Sequence, residues 1–230
     1  MRKLIAVFLL AAFAALAATQ LMATVIPPIG LAPGSQYQLV FVTTDAIDGT
    51  SGTEAPYNAF VNAEAALNSM LPAATWRAVT STTDGSNAIA NAPWLGLPVY
   101  NTQGIRVSNN MLSFYSTTHE AAITYDQFGN VASPFDPTVW TGSFATGAGG
   151  SGSAFRLGDS VEGQAIFGHF GMTSSSWIDW SGGSINSHRS VYALSGAIPV
   201  PTPEPASLTL LGIGFLVIGG MRLLRWRRRA

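Results

Sequence analysis

Charge segregation constrains this chain more than any other feature. Seven of its 11 Lys and Arg residues lie at the two ends: Arg2, Lys3, Arg222, Arg225, Arg227, Arg228 and Arg229. Each basic group adjoins an apolar run, Leu4 to Ala18 in one case and Ala206 to Met221 in the other. The segment between them must fold with Arg77, Arg106, Arg156 and Arg189 as its only lysine or arginine cations. Residues 24–202 hold 11 of the 12 acids, which leaves a net charge of −7. Charged residues make up only 10% of the chain, against roughly 25% in an average domain, so long charged helices and coiled coils are excluded. An acidic body offers no general attraction to nucleic acid. Cysteine is absent, which excludes a disulfide framework, a thiolate metal site and a cysteine nucleophile.

The two ends read as addresses. Residues 1–23 combine a basic start, an apolar core and small residues suited to cleavage at Ala23, or at Ala17 or Ala18. That is the pattern of an export signal; the run is short for a membrane span, which needs about 20 apolar residues. Pro199 to Pro205 (PVPTPEP) is a stiff extended linker, since proline has no place in a helix interior. The uncharged run 206–221 follows, then the basic tail with Trp226 inside it. An apolar segment ending in arginines leaves its tail in the cytoplasm and its body outside. Pro203, Glu204 and Pro205, the apolar segment and the Arg-rich tail together resemble the PEP-CTERM sorting signal of Gram-negative bacteria. The resemblance implies recognition by an exosortase, a membrane-embedded processing enzyme that cleaves near Pro203–Pro205. It also implies a cell-surface or extracellular destination, in bacteria that make exopolysaccharide and biofilm. A permanently anchored single-pass membrane protein is the alternative.

The body, residues 24–198, reads as one domain. Gln36 to Thr43 (QYQLVFVT) is rich in β-branched and aromatic residues and predicts a strand. Pro56 suits a helix first turn. Phe60, Val61, Ala65, Leu67 and Leu71 then give a helical stripe that Pro72 ends. Trp76 to Thr80 predicts a strand, Ala88 to Leu95 a short helix, and Leu97 to Asn101 with Ile105 to Val107 two short strands. Beyond Ser108 isolated aromatics stand among Gly, Ser and Pro, and Thr146 to Ser153 reads as a flexible loop. Val191 to Ile198 is the last strand expected. This order predicts an α+β single domain with a loop-rich second half, flanked by an N-terminal signal helix and a C-terminal transmembrane sorting helix over 206–230.

The blocks Thr75-Trp76-Arg77-Ala78, Leu97-Pro98-Val99-Tyr100-Asn101, Val139-Trp140-Thr141-Gly142-Ser143 and Tyr192-Ala193-Leu194-Ser195 are similar to a recurrent body type of PEP-CTERM proteins. More distantly they resemble endostatin-type domains of collagens. That resemblance implies a C-type-lectin-like fold in which Gln36–Thr43 pairs antiparallel with Val191–Ile198. The disulfides and histidine-rich zinc site of endostatin have no counterpart here.

Candidate chemistry is sparse. His119, His169 and His188 lie too far apart in sequence for a familiar zinc motif. Gly150-Ser151-Gly152 lacks the spacing of a nucleophile elbow. Asp45, Asp48 and Glu54, or Asp159 and Glu162, supply oxygens that leave calcium open as a cofactor, but no calcium-loop spacing occurs. Glu120 and Asp126 flank an expected strand. Trp94, Trp177, Trp180, Tyr115 and Tyr125 have rings able to stack on sugars, with core packing as the usual fate of such residues. Trp177 and Trp180 are the candidate glycan contacts, sharing a face only if that segment turns. The sequence therefore predicts an exported, non-enzymatic surface or matrix protein. Its expected partners are an exosortase, the membrane and a polysaccharide. A secreted hydrolase acting on matrix polymers is the competing expectation.

Overall fold

The computed structural model describes residues 26, 28–109, 111, 113–132, 136–150 and 155–202. The expected signal segment 1–23, the Pro203–Pro205 motif, the apolar run 206–221 and the arginine tail lie outside the described residues. Among the described residues there are ten strands: β1 (Gln36–Val42), β2 (Ile47–Asp48), β3 (Trp76–Ala78), β4 (Val99–Asn101), β5 (Arg106–Ser108), β6 (Thr138–Trp140), β7 (Gln164–His169), β8 (Ser181–Ser184), β9 (His188–Ser195) and β10 (Ile198–Pro199). The helices are α1 (Glu54–Ala66), α2 (Ala88–Asn91) and a 3₁₀ turn over Ser175–Trp177.

The main sheet runs β5-β4-β1-β9-β6-β7-β8, with β2 and β3 also paired to β9. It is mixed: β1 is antiparallel to β9 and parallel to β4, and β6 is parallel to β9. The expected closure of the first strand on the last is present, with Val40 opposite Leu194 and Val42 opposite Tyr192.

The expected fold class is corrected. The domain is mainly β, one large mixed sheet, and not an α+β C-type-lectin-like fold; the expected sorting helix over 206–230 lies outside the described residues. No helix among the described residues is long and apolar enough to cross a membrane. The second half, expected to be loop-rich ahead of its closing strand, also supplies β6, β7 and β8. Three physical reasons account for the difference. In β7 four consecutive residues are buried, so the strand lacks the alternation that marks a half-buried one. In β8 the sequence SGGS has no apolar side chain at all. The Ala88 segment makes a single turn, α2, because Pro93 follows closely and disfavours helical geometry before it. Helix α1 has Pro56 in its first turn, as expected, and ends at Ala66, six residues before Pro72.

Local packing explains the register. Both faces of β1 are covered, since six of its seven residues are buried. Phe41 meets Trp76 at 4.9 Å. Helix α1 lies against β3 and β9. Its Asn62 donates to the Trp76 carbonyl at 2.7 Å and accepts from the Trp76 amide at 3.2 Å, while Asn58 accepts from the Ala78 amide at 2.9 Å. Helix side chains thus occupy backbone groups of β3 that would otherwise invite another strand. In the core, Val40, Val42, Val79, Val139, Tyr192 and Trp177 form one apolar cluster.

The described residues also separate into two compact units, one holding residues 26, 28–29 and 36–198 and a smaller one holding residues 30–35 and 199–202. Within the smaller unit Gly34 donates to the Val200 carbonyl at 3.0 Å, and Val200 donates to that of Ser35 at 2.8 Å.

Gly168 marks the closest approach of the 3₁₀ turn to the sheet. A Cβ there would collide with the Trp177 carbonyl oxygen and the Ile178 backbone. On Gly182 the nearest atom is the Gln164 Oε1 at 3.6 Å. Gly168→Ala is therefore expected to lose at least ~2 kcal/mol of stability in urea unfolding, and Gly182→Ala to stay within about 0.5 kcal/mol of the parent.

Candidate ligand-binding surface

The two expected glycan contacts part company in the fold. The 3₁₀ turn drives Trp177 inward, where it is fully buried. Its ring lies 4.5 Å from His119, 5.0 Å from Phe114 and 5.6 Å from Tyr192. Trp177 is therefore a core residue, and its assignment as a glycan contact is corrected: no sugar reaches a ring enclosed in this way. Trp180 stands outside, 47% exposed. Its amide donates to the Phe167 carbonyl at 3.0 Å. Its indole meets Phe167 edge-on at 5.8 Å and His169 at 4.9 Å, with interplanar angles of 78° and 88°.

The surface around Trp180 is built by β7 and β8. His169 ends β7, and its Nδ1 accepts the Gly171 amide at 3.1 Å. In the neutral ring this leaves the proton on Nε2, a hydrogen-bond donor beside the indole. Arg189 lies behind, its guanidinium 3.9 Å from the Phe167 ring centre and 5.0 Å from that of Trp140. It also donates to the Thr138 hydroxyl and pairs with Asp136 at 3.6 Å. Gly183 in β8 leaves room for this stack, since a Cβ would lie 2.9 Å from Phe167. The arrangement is a half-exposed ring backed by Phe167, bordered by the donor nitrogen of His169 and followed in the chain by the exposed Ser181. Such a surface stacks flat apolar faces and hydrogen-bonds hydroxyls.

The other candidates are occupied structurally. Trp140 is buried and donates to the Ile47 carbonyl at 3.1 Å, and Trp94 donates to that of Leu97 at 2.7 Å. Tyr115 is buried. His119 is buried against Phe114 and Trp177, His169 borders Trp180, and His188 begins β9. The three histidines do not converge. Among the described residues no three His, Cys, Asp or Glu side chains gather as a metal site. Asp159 accepts the amides of Phe155, Val161 and Glu162, and Asp48 accepts from Thr50. Asp45 uses its own amide to bind Glu64. Glu120 pairs with Arg106 at 2.6 Å, and Asp126 accepts the amides of Phe128 and Asn130.

The burial of two candidate residues, Glu54 and His119, escapes a reading of the sequence. Glu54 opens α1 and accepts from Thr80 at 2.5 Å and from Asn91 at 2.9 Å. Burial raises its pKa from 4.5 to about 7, against the pull of these donors. His119 keeps Nε2 at 2.7 Å from the Phe114 carbonyl, and its Nδ1 has no partner. Burial lowers its pKa from 6.5 to about 4. An acid beside threonines looks ordinary in sequence, and the packing that desolvates it comes from distant segments.

No protein-family model matches this chain, and no curated protein matches it either.

The two buried groups oppose each other as pH changes. The folded Glu54 holds its proton more tightly than the unfolded one, so its contribution is full below pH 4.5 and is lost as pH rises to 7. The folded His119 resists protonation, so its contribution is full above pH 6.5 and is lost as pH falls to 4. Each amounts to about 3 kcal/mol. Between pH 4.5 and 6.5 the two slopes cancel. Urea unfolding of Glu54→Gln is therefore expected to show stability rising with pH through this window, with the parent nearly flat. Parallel curves for the two proteins would contradict the Glu54 assignment, and a flat curve for the variant would contradict that of His119.

Proposed function

We propose that this chain is an exported, non-enzymatic surface or matrix protein, sorted through its C-terminal signal and associated with exopolysaccharide. The observation that carries the reading is the succession of Pro203-Glu204-Pro205, an apolar run and the arginines 222, 225 and 227–229. Its resemblance to the PEP-CTERM signal names an exosortase as the processing partner. Residues 1–23 serve export across the inner membrane, and the body ends at the cell surface or outside the cell.

The geometry supports a binding role over the hydrolase alternative. The histidines stand apart, and the carboxylates Asp126 and Asp159 are spent on backbone amides. Glu54 is walled in at 8% exposure. Trp180 is the large aromatic ring held ready at the surface beside hydrogen-bonding groups, and a polysaccharide presents the flat faces that such a ring stacks upon.

Two measurements test this. The intact mass of the protein recovered from its host is expected to lack everything beyond the Pro203–Pro205 region; retention of Arg222–Arg229 would establish the permanently anchored alternative. On a polysaccharide array, with and without calcium, Trp180→Ala is expected to weaken binding about tenfold at unchanged stability. Equal binding by parent and variant would remove the surface from the reading while leaving the sorting claim intact.

A further inference from the structure

A second site lies away from Trp180, between the end of β9, β3 and the segment that follows α2. There a cavity of about 210 Å³ is walled by Ala92, Pro93, Leu95 and Leu194. Arg77, Thr75, Ser195 and Gly196 complete it. For scale, a cavity of about 150 Å³ accommodates benzene.

The walls are held in place by buried side chains. Gln38 is fully buried, and its amide nitrogen donates to the carbonyls of Pro93 at 3.1 Å and Ser195 at 2.7 Å. Its oxygen accepts the Leu95 amide at 2.9 Å. The Tyr115 hydroxyl lies 2.7 Å from the Ala92 carbonyl. Three elements far apart in sequence are thereby tied around one opening, so the shape exists before any ligand arrives.

The polar groups at the cavity are mostly satisfied. Ser195 Oγ accepts the Leu39 amide and donates to the Gly196 carbonyl, both at 2.8 Å. The Thr75 carbonyl accepts the Gly196 amide at 2.9 Å. Arg77 is different. On β3 its neighbours Trp76 and Ala78 are buried while Arg77 is exposed. The other arginines of the body are all engaged: Arg106 with Glu120, Arg189 with Asp136 and Thr138, and Arg156 with the carbonyls of Thr82, Ser86 and Gly150. Among the described residues Arg77 is the arginine whose guanidinium has neither an acidic partner nor a hydrogen bond. In a body of net charge −7, an uncommitted guanidinium at the rim of a preformed apolar cavity calls for a charge that the protein does not supply.

We propose that this cavity binds a small organic monoanion: a carboxylate that pairs with Arg77 in the fork geometry guanidinium favours, carried on an aromatic or branched apolar body that fills the space against Leu194 and Pro93. The site is independent of the sorting reading and of the Trp180 surface.

The test is a ¹⁹F NMR titration of 4-fluorophenylacetate and 4-fluorobenzyl alcohol with the full chain held in amphipol, with protein-free amphipol as blank. The acid is expected to saturate with a Kd of about 1 mM or tighter and the neutral alcohol to bind at least tenfold more weakly. Acetate, which lacks the apolar body, is expected not to displace the acid at a tenfold excess. Arg77→Met should make the acid and the alcohol equivalent. Gly196→Leu should abolish binding of both with the circular dichroism unchanged. Its Cβ has room, the nearest atom being the Thr75 carbonyl oxygen at 3.8 Å, and the longer side chain fills the cavity. Absence of saturable binding by the acid, equal binding of acid and alcohol by the parent, or binding that survives Gly196→Leu would overturn the proposal. So would self-association of the parent that Gly196→Leu removes, because the cavity would then be a contact between copies.

Discussion

The pairing of β9 governs this fold. Its eight residues engage four other strands: β1 and β3 along its C-terminal half, and β6 and β2 along its N-terminal half. Ala193 alone sits opposite both Phe41 and Ala78. A strand placed this way satisfies its backbone groups on both edges and must be apolar on both faces, which the buried run from Val191 to Ser195 provides. The partners that β9 joins, β1, β2, β3 and β6, come from a stretch of chain running from Gln36 to Trp140. The domain therefore depends on contacts between segments more than 100 residues apart, such as the Gln38 amide on the Ser195 carbonyl.

A body with so few charges uses nearly all of them internally. Glu64, buried, gathers the amides of Thr44 and Asp45 and the side chain of Gln127. Arg156 holds three carbonyls and needs Gly149 beside it, because a Cβ there would meet the guanidinium. Asp126 and Asp159 each clamp the turn that follows or encloses them. Charged hydrogen bonds of this kind replace the disulfides that the composition forbids as a way of fixing long loops. The groups left over are then conspicuous by position: the indole of Trp180 and the guanidinium of Arg77.

Parts of this organisation are legible from residues alone. The β-branched run at Gln36, the helical stripe around Val61 and the closing strand at Val191 each carry a local signature, and each forms the expected kind of element. The α+β assignment failed where local signature and tertiary role diverge. Residues 164–169 are buried along most of their length without alternation, and Ser181–Ser184 becomes a strand through its pairing with β7 rather than through any property of its own side chains. The Trp177 and Trp180 pair shows the same divergence at the level of a site. Both are indoles in one short polar segment, and only the direction of a single 3₁₀ turn separates core from surface.

By itself the sequence determined the limits of the problem: a cysteine-free, acidic body with four arginines, bracketed by two apolar segments that each adjoin a basic cluster. Those properties are sums and successions, and no folding alters them. Tertiary structure alone decided which tryptophan meets solvent, which acid is desolvated and which arginine lacks a partner. Burial and pairing are relations between distant segments, and they come into being only when β9 draws those segments together.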